Sequence, residues 1–180
     1  MSAPLVWMDL EMTGLNPEHD RIIEIATIIT DDELNVLAEG PVFAIRQPQA
    51  LLDGMDEWNQ THHSASGLLK RIETSGVEEL EAEALTLKFL EDRLEADSSP
   101  LCGNTIWQDR RFLTRYMPDL ESFLHYRMID VSSIKELAKR WRPDVANGVV
   151  KKNEHTALAD IRESIDELRH YRQHFFRTEP

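Results

Sequence analysis

The sequence predicts an α/β fold, a mixed β-sheet flanked by α-helices. Three observations lead there. Apolar and β-branched stretches joined by short turns come first, the hydrophobic period then lengthens to that of a helix, and from residue 100 short strands and helices alternate. With 180 residues, 41% hydrophobic and 29% charged, the chain has material for one core, and residues 1–180 read as a single domain. Disordered and fibrous classes are excluded.

Leu5–Asp9 is predicted as a buried strand ending in a turn at Thr13-Gly14. Ile22–Thr30 is rich in β-branched residues and reads as a second strand, stopped by Asp31-Asp32. Val36–Ile45, interrupted by Gly40-Pro41, is the third, and the three suggest an antiparallel meander. Val77, Leu80, Ala84, Leu87 and Leu94 then keep helical spacing. They predict an amphipathic helix over Val77–Ala96, with Glu78, Glu79, Glu81 and Glu83 on its solvated face. Pro100–Asn104 reads as a short strand running into a loop, Asp109–Tyr116 as a helix, Met128–Val131 as a strand and Ser132–Trp141 as a helix. Arg142–Asn153, with Pro143 and Gly148, reads as a loop. Leu158, Ile161, Ile165, Leu168 and Phe175 mark a long C-terminal helix. There are no repeats and no low-complexity segments.

Apolar runs such as Leu5–Met8 are far too short to span a bilayer. The opening MSAPLVWMDLEM shows neither a basic leader nor a small-residue cleavage site. Cys102 is the sole cysteine, so an intramolecular disulfide and a CxxC site are excluded, and its setting is that of a small buried hydrophobe. A cytoplasmic protein without membrane contact is expected. The net charge of −13 argues against long nucleic acids held by a broad electrostatic footprint. That charge is uneven: residues 1–109 carry −16, whereas residues 110–152 carry +5.

The first strand runs into Asp9-Leu10-Glu11. Alternate strand residues share a face, so the two acids project together with Cα atoms roughly 6.6 Å apart. Like charges so placed repel unless a cation lies between them, and an all-oxygen donor set suits Mg²⁺ or Mn²⁺ rather than Zn²⁺. Two solvated acids at a strand end would give the same pattern. Asp109 opens a predicted helix and Asp160 lies in the first turns of the last one, five residues after His155. Each could be an ordinary helix-terminus acid, and His155 alone an ordinary loop histidine.

Taken in order, D-x-E on the first strand, G-N-x₄-D before a helix and H-x₄-D on the last helix resemble the DEDD exonuclease superfamily in its histidine-containing branch. The flanking stretches VWMDLEMTGL, RIIEIATIIT, LAEGP, MDEWN, CGNTIWQDRRFL, YMP, HYRMIDVSSIKELAKRW and DIRESIDELRHYR extend the resemblance from Leu5 to about Phe176, and they match the branch members that act on very short RNA. The resemblance implies a ribonuclease-H-like fold and a 3′→5′ exoribonuclease acting on short oligoribonucleotides down to dinucleotides. Asp9, Glu11, Asp109 and Asp160 would hold two divalent cations, Mg²⁺ or Mn²⁺, and His155 would be the general base. Leu15 would wedge between two bases with Trp58 packed nearby, and His63 would lie near the scissile end. Thr105 stands where the family often has serine, and either hydroxyl would serve. Tyr126, Arg127 and Ser132 would close over a 5′ phosphate, the tyrosine coming from the partner of a homodimer. Without the resemblance, Leu15 reads as a turn residue covering the core and Trp58 as a core aromatic. His62 beside His63 leaves two candidates for one role.

Three other readings compete. A different DEDD exonuclease would hold longer strands and show more basic or aromatic surface than 7% aromatic residues supply. A silent dinucleotide-binding module would have lost a catalytic group, yet all four acids and the histidine are present. An acidic scaffold would show no metal binding. The expected partners are short RNA oligonucleotides and a second copy of the chain, not long duplex nucleic acid.

Overall fold

The computed structural model describes residues 3–150 and 156–176. Six strands form one sheet: β1 (Leu5–Met12), β2 (Ile22–Thr30), β3 (Val36–Glu39), β4 (Phe43–Ala44), β5 (Pro100–Gly103) and β6 (His125–Asp130). Their order is β3-β2-β1-β5-β6, with β4 also on β2. β1 pairs antiparallel with β2 and parallel with β5, which pairs parallel with β6, so the sheet is mixed as expected. The third expected strand, Val36–Ile45, is two short ones that dock on different parts of β2 around Gly40-Pro41. Gly40 sits close to its neighbours: a Cβ there would lie 3.0 Å from the Thr27 carbonyl oxygen and from the Phe89 ring, a tight contact.

Nine helices complete the described residues: α1 (Gln49–Asp53), α2 (Glu57–Ala65), α3 (Leu68–Ser75), α4 (Glu79–Glu91), α5 (Ile106–Tyr116), α6 (Pro118–Phe123), α7 (Val131–Trp141), α8 (Pro143–Ala146) and α9 (Ala157–His174). The expected loop over 142–153 therefore contains a helical turn, with proline at its first position where the missing N–H costs nothing. Residues 151–153 of that expected loop lie outside the described residues.

The alternation of β1 divides the molecule. Val6, Met8 and Leu10 pack with Ala82, Leu90, Ile106, Phe112, Leu113 and Leu120, from α4, α5 and α6. Trp7 points the other way, into Val131, Ala138, Val145, Ile161, Ile165 and Tyr171, from α7, α8 and α9. Every residue of β2 is buried, because both faces are covered, which is why it reads as a continuous apolar run. Asp9 and Glu11 follow Trp7 in register and so turn toward the α9 side.

The helix expected over Val77–Ala96 is shorter and turned from its expected phase. Ala82, Glu83, Thr86 and Leu90 are its buried positions, while Leu80 is exposed. Glu83 is not solvated: its Oε1 accepts the N–H groups of Asp119 and Leu120 at 2.8 and 3.2 Å, capping α6 from a neighbouring helix. Glu79 also departs from expectation, pairing with Arg21 at 2.6 Å. A carboxylate that satisfies two helix-start donors is stabilising only when buried against them. Glu83→Ala is expected to cost about 1–3 kcal/mol in chemical denaturation, against little for the exposed Glu81→Ala. Equal losses would remove the capping role.

Candidate active site

Asp9 and Glu11 leave β1 on one face, and α9 crosses that face with Asp160 in its first turn. One carboxylate oxygen from each of Asp9, Glu11 and Asp160 lies within 4.8 Å of the others. Asp109 adjoins them from α5: its Oδ1 accepts the N–H of Leu10, between the two strand acids, at 2.9 Å. Its helix starts three residues earlier than expected, at Ile106, which leaves Asp109 buried in the first turn instead of capping the helix at the surface.

Such a cluster raises its own proton affinities. Asp9 and Glu11 keep part of their surface open, yet the protein around them is dense enough that desolvation is the largest influence on each. Burial, then the charges of Asp160, Glu24 and Asp109, push Glu11 up to about 8, with Arg71 pulling the other way. Burial followed by Asp109 and Glu11 holds Asp9 well above the ordinary carboxylate range. Burial lifts Asp109 to about 7, against the lowering effect of the Leu10 N–H. Protons here do what a cation would do better.

The site also contains an orphan. His63 of α2 is 1% exposed. Its Nε2–H donates to the Met12 carbonyl at 3.0 Å, which leaves Nδ1 with a lone pair 3.8 Å from Glu11 Oε2 and without a hydrogen-bond partner. Burial lowers its pKa, so the ring is neutral near pH 7. His62 instead stacks on Trp58, with ring centroids 4.5 Å apart, so His63 is the histidine at the acids. An all-carboxylate donor set beside a buried acceptor fits hard divalent cations, and four carboxylates would nearly balance two of them.

The sequence reading did not single out Glu24. It lies across the strand pair from Glu11 and is 1% exposed. It pairs with Arg71 of α3 and accepts the N–H of Ala157, the first residue of α9, at 3.2 Å. The turn that carries Asp160 is thereby tied to the sheet. A charge inside a β-branched run was the available signal.

Leu15 and Trp58 are not core residues; they are 72% and 67% exposed. The Leu15 loop is nevertheless held. Asp20 accepts from the Thr13 hydroxyl and the Asn16 N–H, Gln108 Nε2 donates to the Leu15 carbonyl at 2.6 Å, and the Tyr116 hydroxyl donates to that of Pro17 at 2.7 Å. An apolar side chain is thus presented to solvent on a fixed base.

Thr105 and Ser132 come together beside Asn104 and Asp130. Thr105 caps α5 with φ 54°, a left-handed conformation that costs a threonine energy. Its N–H donates to Ser132 Oγ and Asp130 Oδ1, both at 2.9 Å. Tyr126 and Arg127 are exposed on the edge strand β6, the guanidinium 5.3 Å from the ring centroid. His155 lies outside the described residues.

The sequence profile of the exonuclease family matches residues 6–168. Oligoribonucleases from Alcanivorax borkumensis and Marinobacter nauticus are 65% and 63% identical to it, each alignment covering at least 94% of both chains. The chain belongs to the oligoribonuclease family of exonucleases. It is therefore a phosphodiester hydrolase. Escherichia coli exonuclease I bound to a dT13 oligonucleotide superposes with a TM-score of 0.73 at 20% identity. That likeness covers 95% of this chain but only 41% of the larger enzyme, and it bears on fold alone. Among the described residues no helix is long and apolar enough to cross a membrane.

Stability should report the acid cluster. A carboxylate whose folded pKa is raised holds a proton that the unfolded chain has released, so native stability falls as pH rises through that interval. Metal-free protein is therefore expected to lose thermal stability from the ordinary carboxylate range up to about pH 8, the value reached by Glu11. Added Mg²⁺ or Mn²⁺ should raise the melting temperature more at about pH 8 than at about pH 6. A metal-free melting temperature that rises over this range would contradict it.

Proposed function

We propose that the protein is a 3′→5′ exoribonuclease that hydrolyses very short oligoribonucleotides, chiefly dinucleotides, to mononucleotides. The observation that carries this reading is the Asp9–Glu11–Asp160 cluster with Asp109 beside it, in a chain that also holds an exposed Leu15 on a fixed loop and a Thr105–Ser132 contact. The printed names of the relatives support it.

Two divalent cations, Mg²⁺ or Mn²⁺, bound by Asp9, Glu11, Asp109 and Asp160, would supply an activated water, charge neutralisation at phosphorus and help for the departing 3′ oxygen. The chain's own groups do the rest. His155 takes the water's proton; an ordinary imidazole, with a pKa of about 6.5, accepts one near neutral pH. Neutral His63 adds no positive charge, so its buried Nδ1 acts by accepting a hydrogen bond beside Glu11. Leu15 enters between two bases, and Trp58 flanks them.

Arg127 grips a terminal phosphate, and the Thr105 and Ser132 hydroxyls border it. Tyr126 closes over that phosphate from the second copy of a homodimer; its exposure on an edge strand supports an intermolecular role. The charge of −13 supports short substrates, since each further phosphate would lie over acidic surface.

Asp9→Ala, Glu11→Ala, Asp109→Ala and Asp160→Ala are each expected to abolish nearly all turnover without unfolding the protein, and His155→Ala to lower kcat by about 10²–10⁴-fold. Wild-type-like hydrolysis by Asp160→Ala in excess Mg²⁺ would remove the metal assignment. In an assay across RNA lengths from two to about twenty nucleotides, dinucleotides should be cleaved fastest and EDTA should stop all cleavage; the upper length exceeds what one small basic island can engage. Equal rates at both lengths would leave an exonuclease with no short-substrate preference.

A further inference from the structure

The polar positions of α9 continue past Asp160 as a stripe: Ser164, Glu167 and Tyr171 recur at helical spacing. Glu167 lies about 10 Å beyond Asp160 along the helix and takes no part in the acid cluster. Its side chain is 0% exposed, and donors from three other residues meet it. Oε1 accepts from Lys135 Nζ and from the Tyr171 hydroxyl, both at 3.0 Å, and Oε2 accepts from Asn104 Nδ2 at 3.1 Å. Asn104 Nδ2 also donates to Ser164 Oγ at 2.9 Å.

An ionised carboxylate only accepts, so Glu167 decides which end of the Asn104 amide faces it. The Asn104 oxygen is left facing the first turn of α7. There it accepts from Ser132 Oγ at 3.0 Å and from Lys135 Nζ at 3.4 Å. Ser132 Oγ, its hydrogen directed at Asn104, accepts the N–H of Thr105 at 2.9 Å. A single directional chain thus runs from Thr105 through Ser132 and Asn104 to Glu167. Lys135, 26% exposed, supplies the counter-charge.

We propose that Glu167 is a positioning residue for the terminal-phosphate end of the cleft: as an obligate acceptor it fixes the Asn104 amide, and through it the Ser132 hydroxyl and the left-handed Thr105 backbone. This rests on the reading of that end given under the proposed function. Glutamine at 167 would keep the volume but present an NH₂ group toward donors. Where that NH₂ faces Asn104, relief comes from Asn104 turning over, which aims its own NH₂ at Ser132 Oγ and at the Lys135 ammonium and reverses the chain. Glu167 touches neither strand acid in this arrangement, so chemistry at the acids should survive the change.

The test compares a dinucleotide bearing a 5′ phosphate with the same dinucleotide bearing a 5′ hydroxyl. It uses the full chain as wild type, Glu167→Gln, Asn104→Ala and the double variant. Bis(p-nitrophenyl) phosphate with Mn²⁺, which has no terminal phosphate, reads the acid cluster separately. Wild type should bind the phosphorylated dinucleotide more tightly. Glu167→Gln should weaken that binding by about tenfold to hundredfold, the effect of a lost buried hydrogen bond to a charged group, and leave p-nitrophenol release unchanged. Asn104→Ala cuts the same chain at a half-exposed residue and should behave alike, with the double variant no worse than the singles. Should Glu167→Gln fail to fold, Asn104→Ala decides the matter.

Variants that keep the wild-type preference for the 5′ phosphate, or that lose both activities in parallel, overturn the proposal. A wild type with no such preference overturns the phosphate reading, and this inference with it.

Discussion

Asp9 and Glu11 are forced onto one face of β1 by strand geometry, and α9 brings a third carboxylate to within 4.8 Å of them. Like charges in a desolvated cleft cannot all stay ionised without a counter-charge, and the upward pKa shifts of Asp9, Glu11 and Asp109 express that conflict. The surrounding structure serves to hold the conflict in place. Glu24 ties the start of α9 to β2, the Leu10 N–H receives Asp109, and both hydrophobic layers pack against the same strand that carries the acids. The arrangement stores repulsion that a divalent cation relieves, so binding and folding energies are linked at this site.

Leu15 and the Thr105–Ser132 contact are held on a different principle. Leu15 is exposed, but the hydrogen bonds from Gln108 and Tyr116 and those accepted by Asp20 hold the backbone beneath it. Thr105, in a left-handed conformation, starts a relay of partly buried polar groups that ends on the buried Glu167. In both places rigidity comes from satisfied polar networks rather than from apolar packing. Groups held in this way need little further ordering, which would otherwise cost entropy on binding.

Much of this was legible in the sequence, for reasons that differ by element. Period-two alternation places Asp9 and Glu11 on one face, and a run rich in β-branched residues marks β2. Long helical periodicity finds α9, and its polar stripe at 160, 164, 167 and 171 was there to be read. The helix from Val77 was found but turned from its true phase, because Leu80 is exposed and Glu83 buried. Its carboxylate caps a helix some 36 residues away in sequence, a pairing no local period contains. The short helices α1 to α3 give little sequence signal because each spans at most nine residues and α2 is polar around most of its surface; in α3 only Leu68 and Ile72, one turn apart, mark the buried face. Glu24 and Glu167 each left a local signal, but what their carboxylates bind lies largely on other elements and is visible only in the fold.

The central claim is that the carboxylate cluster is a divalent-cation site shared by two ions. Anomalous scattering from crystals grown with Mn²⁺ and a non-hydrolysable dinucleotide tests it most directly. The account expects two manganese peaks, both touching the cluster: Asp9, Glu11 and Asp160 among their ligands, and Asp109 in contact with one of them. No manganese at these carboxylates, or a single ion with Asp109 still bound only to the Leu10 N–H, would contradict it.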